Sequence, residues 1–339
     1  MKNLLQLLPR RGGERAKTSV GIELGVDAVS VVALSQAEGG ELQLLGMGSQ
    51  ALAEGAWGPR GIEDLDAVII AAKVALAQVF GKRVPAACSV VMSLPASLLS
   101  SRRESMQHPC DEDAVQALLA ERGESLFDGP LDSLCVDWVV GESVDGAPVP
   151  VDFWAAPRDA VMLLDDVAKG CGLSLAIVER EEVALLEVIA PVVAKRFPDR
   201  FGGATVGLVE FGRRESQFSV YQKGELTSRS RIRVAGGQLE TANPEEAQAL
   251  ISNAVAQVGK QLRSYYSNFA RNGTLDLLQV TGELAKRPDF LQELSAVVDG
   301  VPIEQAEPFG GMLRKKGVQV AMDASYVRAC GLARRGLAG

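Results

Sequence analysis

The chain has 339 residues, 47% of them hydrophobic and 23% charged, with a net charge of −8. This length exceeds one simple core and predicts two folded domains, and the acidic balance excludes a general nucleic-acid-binding protein. Five scattered cysteines without a CxxC pair predict reduced thiols. A single histidine, His108, excludes a histidine-based metal site or a catalytic triad.

The first 17 residues form a basic leader around a short apolar patch. The patch, residues 4–8, is too short for a signal peptide, and no apolar run in the chain reaches the length that spans a bilayer. Arg10, Arg11, Arg15 and Lys17 follow the patch. Two interpretations stay open, a weak contact with an anionic membrane surface or a tail without a docking role.

A strand that ends in Glu-x-Gly opens the folded part of the chain. Residues 20–24 have buried-strand character, Glu23 lies near their end, Gly25 follows, and an apolar run then resumes. The pattern predicts a tight β-hairpin whose turn offers backbone N–H groups to an anion, with the carboxylate at its mouth. Most turns of this composition bind nothing, so the pattern alone is weak.

The next elements predict the rest of one α/β lobe. Residues 41–45 and 87–92 have strand character, and residues 62–80 have helical periodicity up to Gly81. We expect the lobe to resume after an insertion with a helix over 158–169, a strand over 175–178 and a helix over 181–197. Gly202-Gly203 then marks the boundary of the lobe.

Residues 90–156 have a different pattern and predict a small inserted α+β subdomain. A short helix begins after Asp111, and we expect it to end at Gly123. Two strands flank Asp145-Gly146, which is a strong hairpin signal. Pro148 and Pro150 confine the second strand to a sheet edge, or at least to its start.

The opening pattern then occurs a second time. Residues 206–212 and 216–221 repeat the apolar run, the Glu-x-Gly and the apolar resumption, so that Glu210 and Gly212 correspond to Glu23 and Gly25. Such a repeat predicts two similar lobes, each beginning with a hairpin that points at a shared cleft.

The remaining elements complete the second copy. A strand over 226–234 is followed by a helix start at residues 243–246, where Asn243 is the cap and Glu246 the third position. The periodicity continues to Phe269, which predicts a helix well over 30 Å long. Strands over 275–281 and 301–304 and helices over 290–298 and 326–334 follow.

The order of these parts resembles the actin-like ATPase superfamily and, within it, the PilM family of type IV pilus machines and its counterpart MshI. The supporting segments are Val20-Gly-Ile-Glu-Leu-Gly25, residues 206–212, 234–239, 261–266, 280–282 and 306–309 with Met312, and residues 329–334. The resemblance implies an actin-like (ribonuclease-H-like) two-lobed α/β fold with duplicated βββαβα cores and an inserted small α+β subdomain.

The resemblance also implies domain limits. These are the leader (1–17), a first lobe (18–200) with the insertion at about 90–156, a second lobe (201–322), and a C-terminal helix (323–339) that returns to the first lobe.

In this superfamily the two hairpins hold the phosphates of ATP, with an acidic residue in each near magnesium. Carried over, the first phosphate loop is Gly25, Val26 and Asp27. The second loop contains Gly212, Arg213 and Ser216. The resemblance further implies that Gly282, followed by Glu283, is the glycine that receives the adenosine. It implies that Glu23 and Glu210 bind the nucleotide through a magnesium ion.

Several residues depart from the family pattern at this site. Glutamates occupy positions 23 and 210, where aspartate is usual. Asp27 lies in the first phosphate loop, where its negative charge would repel a phosphate. Glu283 and Leu284 replace glycines where the backbone approaches the base. Together these departures predict a weakened or lost nucleotide site.

The favoured function is a cytoplasmic scaffold of a type IV or MSHA-type pilus machine, without catalytic residues. The resemblance implies that it binds the N-terminal cytoplasmic tail of a bitopic, PilN-like inner-membrane partner in a groove of the inserted subdomain, and lies peripherally at the inner membrane. The alternative is an active kinase or ATPase of the same superfamily. Self-association and the pilus subtype stay open.

Overall fold

The computed structural model describes residues 17–58, 61–85, 87–107, 110–142, 147–200, 203–269, 274–298, 300–320 and 325–338. Residues 1–16 of the leader, His108 and the Asp145-Gly146 turn lie outside these ranges. The predictions made for them stay predictions.

The first lobe contains three parts, a hairpin-led sheet, the insertion and a return to the sheet. The sheet elements are β1 (Thr18–Leu24), β2 (Ala28–Gln36), β3 (Leu42–Ala51), the ribbon β4 (Trp57–Gly58) and β5 (Gly61–Ile62), α1 (Leu65–Phe80) and β6 (Ser89–Leu94). The insertion adds β7 (Ser100–Met106), α2 (Glu112–Phe127), β8 (Leu134–Val140) and β9 (Val149–Pro157). The return consists of α3 (Arg158–Gly170), β10 (Leu175–Arg180) and α4 (Glu181–Arg196).

The second lobe repeats this plan without an insertion. Its elements are β11 (Thr205–Phe211), β12 (Ser216–Gln222), β13 (Glu225–Ile232), α5 (Pro244–Phe269), β14 (Leu277–Gly282), α6 (Pro288–Val297) and β15 (Ile303–Gln305). Two further elements follow it, β16 (Leu313–Arg314) and α7 (Ser325–Ala338).

The two sheets have the same topology. The strand order β3-β2-β1-β6-β10 of the first lobe matches β13-β12-β11-β14-β15 of the second. In each sheet the leading strand pairs antiparallel with the next strand and parallel with the strand after the helix. The predicted duplicated α/β fold is therefore confirmed.

The chain crosses back to the first lobe through β16. This strand pairs in parallel with β3 at the edge of the first sheet, and the Lys315 N–H donates to the Leu44 carbonyl at 2.9 Å. The return therefore begins within the residues assigned to the second lobe, before the proposed limit at 322.

The start of α5 is fixed by a reciprocal cap. The Asn243 N–H donates to Glu246 Oε2 at 2.9 Å, and the Glu246 N–H donates to Asn243 Oδ1 at 3.0 Å. This pairing satisfies two backbone donors that the helix itself leaves open. The predicted helix start is confirmed, and its 26 residues give a length of about 39 Å.

The prediction that Gly123 ends α2 is wrong. The helix continues to Phe127, and its C-cap is Asp128 in the left-handed conformation with φ 56°. Gly123 lies against Leu131, where an added Cβ would be 2.5 Å from Leu131 Cδ1. The glycine allows close packing of the connection after the helix and does not break the helix.

Proline was predicted to confine the second strand of the insertion either to a sheet edge or to its start, and the first of these alternatives is wrong. The inserted sheet has the order β7-β9-β8, so β9, which carries Pro150, is the central strand. Pro150 is the second residue of β9, and its carbonyl accepts a hydrogen bond from the Gly141 N–H at 2.8 Å. The alternative, proline at the start of the strand, is confirmed, and β7 and β8 form the edges.

Helices cover both faces of the first sheet, and the helices on one face also pack against the second lobe. Helices α1 and α3 pack on one face, while α4 and α7 pack on the other and form a common core with β11 and β14. Gly21 in β1 allows α7 to approach so closely that an added Cβ would lie 2.1 Å from the Ala329 carbonyl oxygen. Within the described residues, no helix is both long and apolar enough to cross a membrane.

Candidate functional site

The two repeated glutamates meet on one arginine. Glu23 and Glu210 occupy the next-to-last positions of the equivalent strands β1 and β11. Arg328, near the start of α7, donates from Nη1 to Glu23 Oε1 and from Nη2 to Glu210 Oε2, both at 3.2 Å. Glu23 and Glu210, which come from the two hairpins predicted to point at a shared cleft, therefore lie on either side of one guanidinium.

A third carboxylate and a second guanidinium complete this cluster. Glu181 begins α4 immediately after β10, and its Oε2 lies 3.6 Å from Nη1 of Arg328. Its Oε1 accepts hydrogen bonds from Arg229 Nη1 at 2.5 Å and from the Ala96 N–H at 3.3 Å. We call Glu23, Glu181, Glu210, Arg229 and Arg328 the cleft cluster.

The cleft cluster contains three carboxyl groups and two guanidinium groups. Burial raises the pKa of Glu23 to about 8, against the opposing effect of Arg328 and with further upward contributions from Glu210 and Glu181. Glu23 Oε2 is also buried without a hydrogen-bond partner among the described residues. Glu23 is therefore the carboxyl that keeps its proton at neutral pH, which leaves two negative charges opposite two positive ones.

The other shifts in the cluster agree with this balance. Burial would raise the pKa of Glu181, but Arg328 and Arg229 outweigh it, and the pKa falls below its usual value. Burial opposes the charge of Arg328, yet Glu210, Glu181 and Glu23 raise its pKa well above the usual range. Both groups are therefore held in their charged forms.

The tips of the two hairpins pair with each other. Asp27, in the first turn, forms an ion pair with Arg214 in the second. The neighbouring Arg213 makes a two-pronged contact with Glu240, at 2.6 and 2.9 Å. Asp27, which would repel a phosphate, thus has a cationic partner from the other lobe.

The remaining predicted residues have partners within the fold or face solvent. The Gly25 N–H donates to the Ala28 carbonyl at 2.9 Å, and the Ser216 hydroxyl donates to the Val234 carbonyl at 2.7 Å. Val26 is exposed at the first tip. Gly212 forms a tight turn, since an added Cβ would lie 2.5 Å from the Glu215 carbonyl oxygen.

The predicted adenosine residues also have structural roles. Gly282 has φ 97°, and an added Cβ would lie 2.2 Å from the Phe211 carbonyl oxygen, so the approach of β14 to β11 requires glycine. Glu283 pairs with Lys286 at 2.5 Å on the surface.

This arrangement does not fit a metal-bound phosphate. Magnesium needs near-octahedral oxygen ligands, whereas Glu23 Oε1 and Glu210 Oε2 are both bonded to the Arg328 guanidinium. Over the residues that the structure describes, no group of three or more ligating side chains is placed to hold a metal. The assignment of ATP and magnesium to these residues stays a prediction.

Comparisons with known proteins identify the family. A model of the type IV pilus assembly protein PilM matches residues 21–247. The chain belongs to the PilM family. No match was found among curated protein sequences.

Solved structures were found that are similar to this chain in fold. The structure of a PilM–PilN type IV pilus biogenesis complex matches with a TM-score of 0.72 at 15% identity, over 96% of this chain and 99% of that one. Ethanolamine utilization protein EutJ from Carboxydothermus hydrogenoformans matches with a TM-score of 0.48 at 13% identity, over 94% and 89%. The cytoplasmic domain of EpsL from the Vibrio cholerae type II secretion system matches with a TM-score of 0.41 at 13% identity, over 93% and 94%.

Sequence reasoning about this PilM-family chain missed Arg328, Glu181, Arg229 and Arg214. A signal for Glu181 exists, because it directly follows a parallel strand whose carboxyl end faces the cleft. Arg328 stands within a run of small and apolar residues in α7. An arginine in such a run that lacks a nearby acidic residue is a candidate for a buried ion pair with a distant element.

Proposed function

We propose that this PilM-family chain is a non-catalytic cytoplasmic scaffold of a type IV or MSHA-type pilus machine. It holds the cytoplasmic tail of a PilN-like inner-membrane partner and lies at the inner membrane through that partner. The observation that carries the proposal is the PilM match over residues 21–247. Similarity over 96% of the chain to the protein fold in a PilM–PilN complex supports it.

The free edge of β7 is the docking site that we favour for the tail. Among the described strands, β7 pairs only with β9, and its residues Ser100–Arg103 are exposed. An edge strand leaves every second backbone N–H and C=O open to an added strand. An extended tail can therefore gain main-chain hydrogen bonds there without any rearrangement of the sheet.

An aromatic residue beside this edge supports the same choice. Trp154 on β9 lies opposite Ser101 of β7, and the Arg180 guanidinium sits 4.2 Å from the centre of its ring. Arg180 ends β10 and precedes Glu181 of the cleft cluster. A tail along β7 would thus lie beside Trp154, and Arg180 connects Trp154 to the cleft cluster.

Proline substitutions at neighbouring positions test the docking site. Successive residues of a strand direct their backbone groups to opposite sides, so one of Ser100→Pro and Ser101→Pro removes a donor from the free edge. Calorimetric titration of the partner's synthetic tail should lose binding in that variant, while Val140→Pro on the opposite edge strand β8 binds normally. Equal tail binding by all variants would exclude the β7 edge.

We further propose that ATP hydrolysis is absent or far slower than about 1 per second, the lower end of ordinary turnover. The pairing of Asp27 with Arg214 and of both repeated glutamates with Arg328 supports this expectation. A phosphate-release assay on the purified protein checks it. Turnover at ordinary rates that disappears in Glu23→Gln would establish an active ATPase instead.

A further inference from the structure

Three ion pairs cross between the lobes at the cleft. Arg328 of α7, which packs on the first sheet, reaches Glu210 of the second lobe at 3.2 Å. Glu181 of α4 in turn receives Arg229 of the second lobe at 2.5 Å. Asp27 and Arg214 form the third pair, nearest to solvent. The lobes are therefore joined by charges of both signs from each side.

Arg328 holds the central position among these pairs. It contacts carboxylates from three separate elements, β1, α4 and β11, and its guanidinium lies between the equivalent glutamates of the duplicated strands. Acidic side chains that converge in this way repel each other unless a cation stands between them. Arginine suits the position because its charge is permanent and its planar group has five donors.

We propose that Arg328 is the built-in cation of the cleft, which holds the carboxylates of both lobes together and keeps the cleft closed without a metal ion or a nucleotide. This inference goes beyond the scaffold function and does not depend on the partner's tail. In this protein, a rigid spacing between the lobes is a property of the folded chain itself.

A second buried arginine in α7 provides a matched control. Arg335 donates from Nε to Glu179 Oε2 at 2.9 Å, and both side chains are buried. Glu179 belongs to β10, so this contact stays within the first lobe. Substitution of Arg335 removes a buried charge from the same helix and leaves the three pairs between the lobes in place.

The test compares Arg328→Ala with Arg335→Ala in the full chain. We expect each variant to lose roughly 5–10 °C in melting temperature at pH 8. Only Arg328→Ala should show a larger radius of gyration by small-angle X-ray scattering, because it removes the contact with Glu210 across the lobes, whereas the Arg335–Glu179 pair lies within the first lobe. Excess Mg²⁺ with ATP should leave the melting temperature of the wild-type protein unchanged.

A variant that lacks the cation and both repeated glutamates keeps the proposal testable if Arg328→Ala does not fold. Arg328→Met combined with Glu23→Gln and Glu210→Gln removes the cation together with two of its carboxylates. Replacement of a whole buried ionic group is often neutral, so we expect this triple variant to melt within a few degrees of wild type. The proposal is overturned if the triple variant is as unstable as Arg328→Met alone. It is also overturned if Arg328→Ala keeps the wild-type radius, or if Mg²⁺ with ATP stabilises the wild-type protein.

Discussion

The two hairpins that face the cleft have equivalent backbone structures, but their tips differ in charge. Each leading strand ends in Glu-x-Gly, with the glutamate at the same position in an equivalent sheet. The first tip continues with Val26 and Asp27, and the second with Arg213 and Arg214. A duplicated fold can therefore keep its geometry while its two copies become complementary partners, since the acidic tip pairs with the basic one.

The surroundings of the two strands differ as well. α7 lies directly on β1, and Gly21 approaches the backbone of that helix. Leu208 of β11, two residues before Glu210 as Gly21 is before Glu23, fills the equivalent position with a buried side chain. The lobes are therefore alike in topology, but at this position β1 has a glycine against a helix backbone and β11 has a leucine.

The largest expected effect comes from the close approach of α7 to Gly21. In Gly21→Ala the new Cβ would lie 2.1 Å from the Ala329 carbonyl oxygen and 2.5 Å from the Ala333 nitrogen, so α7 must move. Gly207→Ala in β11 is a comparison at a different strand position, where the new Cβ would meet side chains only: Leu275 Cδ1 at 2.8 Å, Leu278 Cδ1 at 2.9 Å and Phe218 Cε2 at 3.2 Å. We expect losses of about 3 kcal/mol or more for Gly21→Ala and about 1 kcal/mol for Gly207→Ala in urea unfolding. Equal losses would show that contact with the backbone of α7 does not set the cost.

The equivalent glutamates should respond oppositely to removal of their charge. Glu23→Gln should stabilise the protein near neutral pH, because the wild-type residue must keep a proton in the folded state that it loses on unfolding. Glu210→Gln should destabilise it by about 2 kcal/mol, since Arg328 loses a buried charged partner. Urea unfolding of both variants at pH 7 measures the difference.

The pH dependence sharpens this contrast. The pKa of Glu23 rises from 4.5 to about 8 on folding, so its contribution to stability is full below pH 4.5 and declines until pH 8. The advantage of Glu23→Gln over wild type should therefore grow by about 1.4 kcal/mol per pH unit across that window and stay constant above it. A pH-independent difference between Glu23→Gln and wild type would show that Glu23 is ionised in the fold.

The smallest effect is expected at the hairpin tips. Arg214 is mostly exposed in its pair with Asp27, so the pair should contribute no more than about 1 kcal/mol. Asp27→Arg and Arg214→Asp should each destabilise the protein, and the double exchange should recover most of the loss. A double-mutant cycle by thermal unfolding at low salt measures this coupling, which 1 M NaCl should reduce. Additive losses in the cycle would mean that the tips do not interact.

The sequence was sufficient for the features that depend on local pattern or on repetition. The two Glu-x-Gly hairpins predict the duplicated sheets, and Asn243 with Glu246 predicts the start of α5. Gly123 and Pro150 misled because the local preference of each residue was outweighed by packing and pairing with other segments.

The cleft cluster could not be predicted in the same way. Arg328 lies 305 residues from Glu23 and 118 residues from Glu210 along the chain. The register of α7 on the first sheet decides which of its side chains reaches the cleft. No local pattern encodes that register, whereas the glutamates themselves were found because they repeat.

The position of α7 affects the order in which the protein can form on the ribosome. β1 and β2 are made first, yet one face of their sheet stays open to water until the helix Ser325–Ala338 has emerged. The second lobe is fully synthesised by β15, so the lobe made later can finish folding earlier. The nascent chain therefore presents an uncovered apolar sheet through most of its synthesis, and the last helix protects it from aggregation.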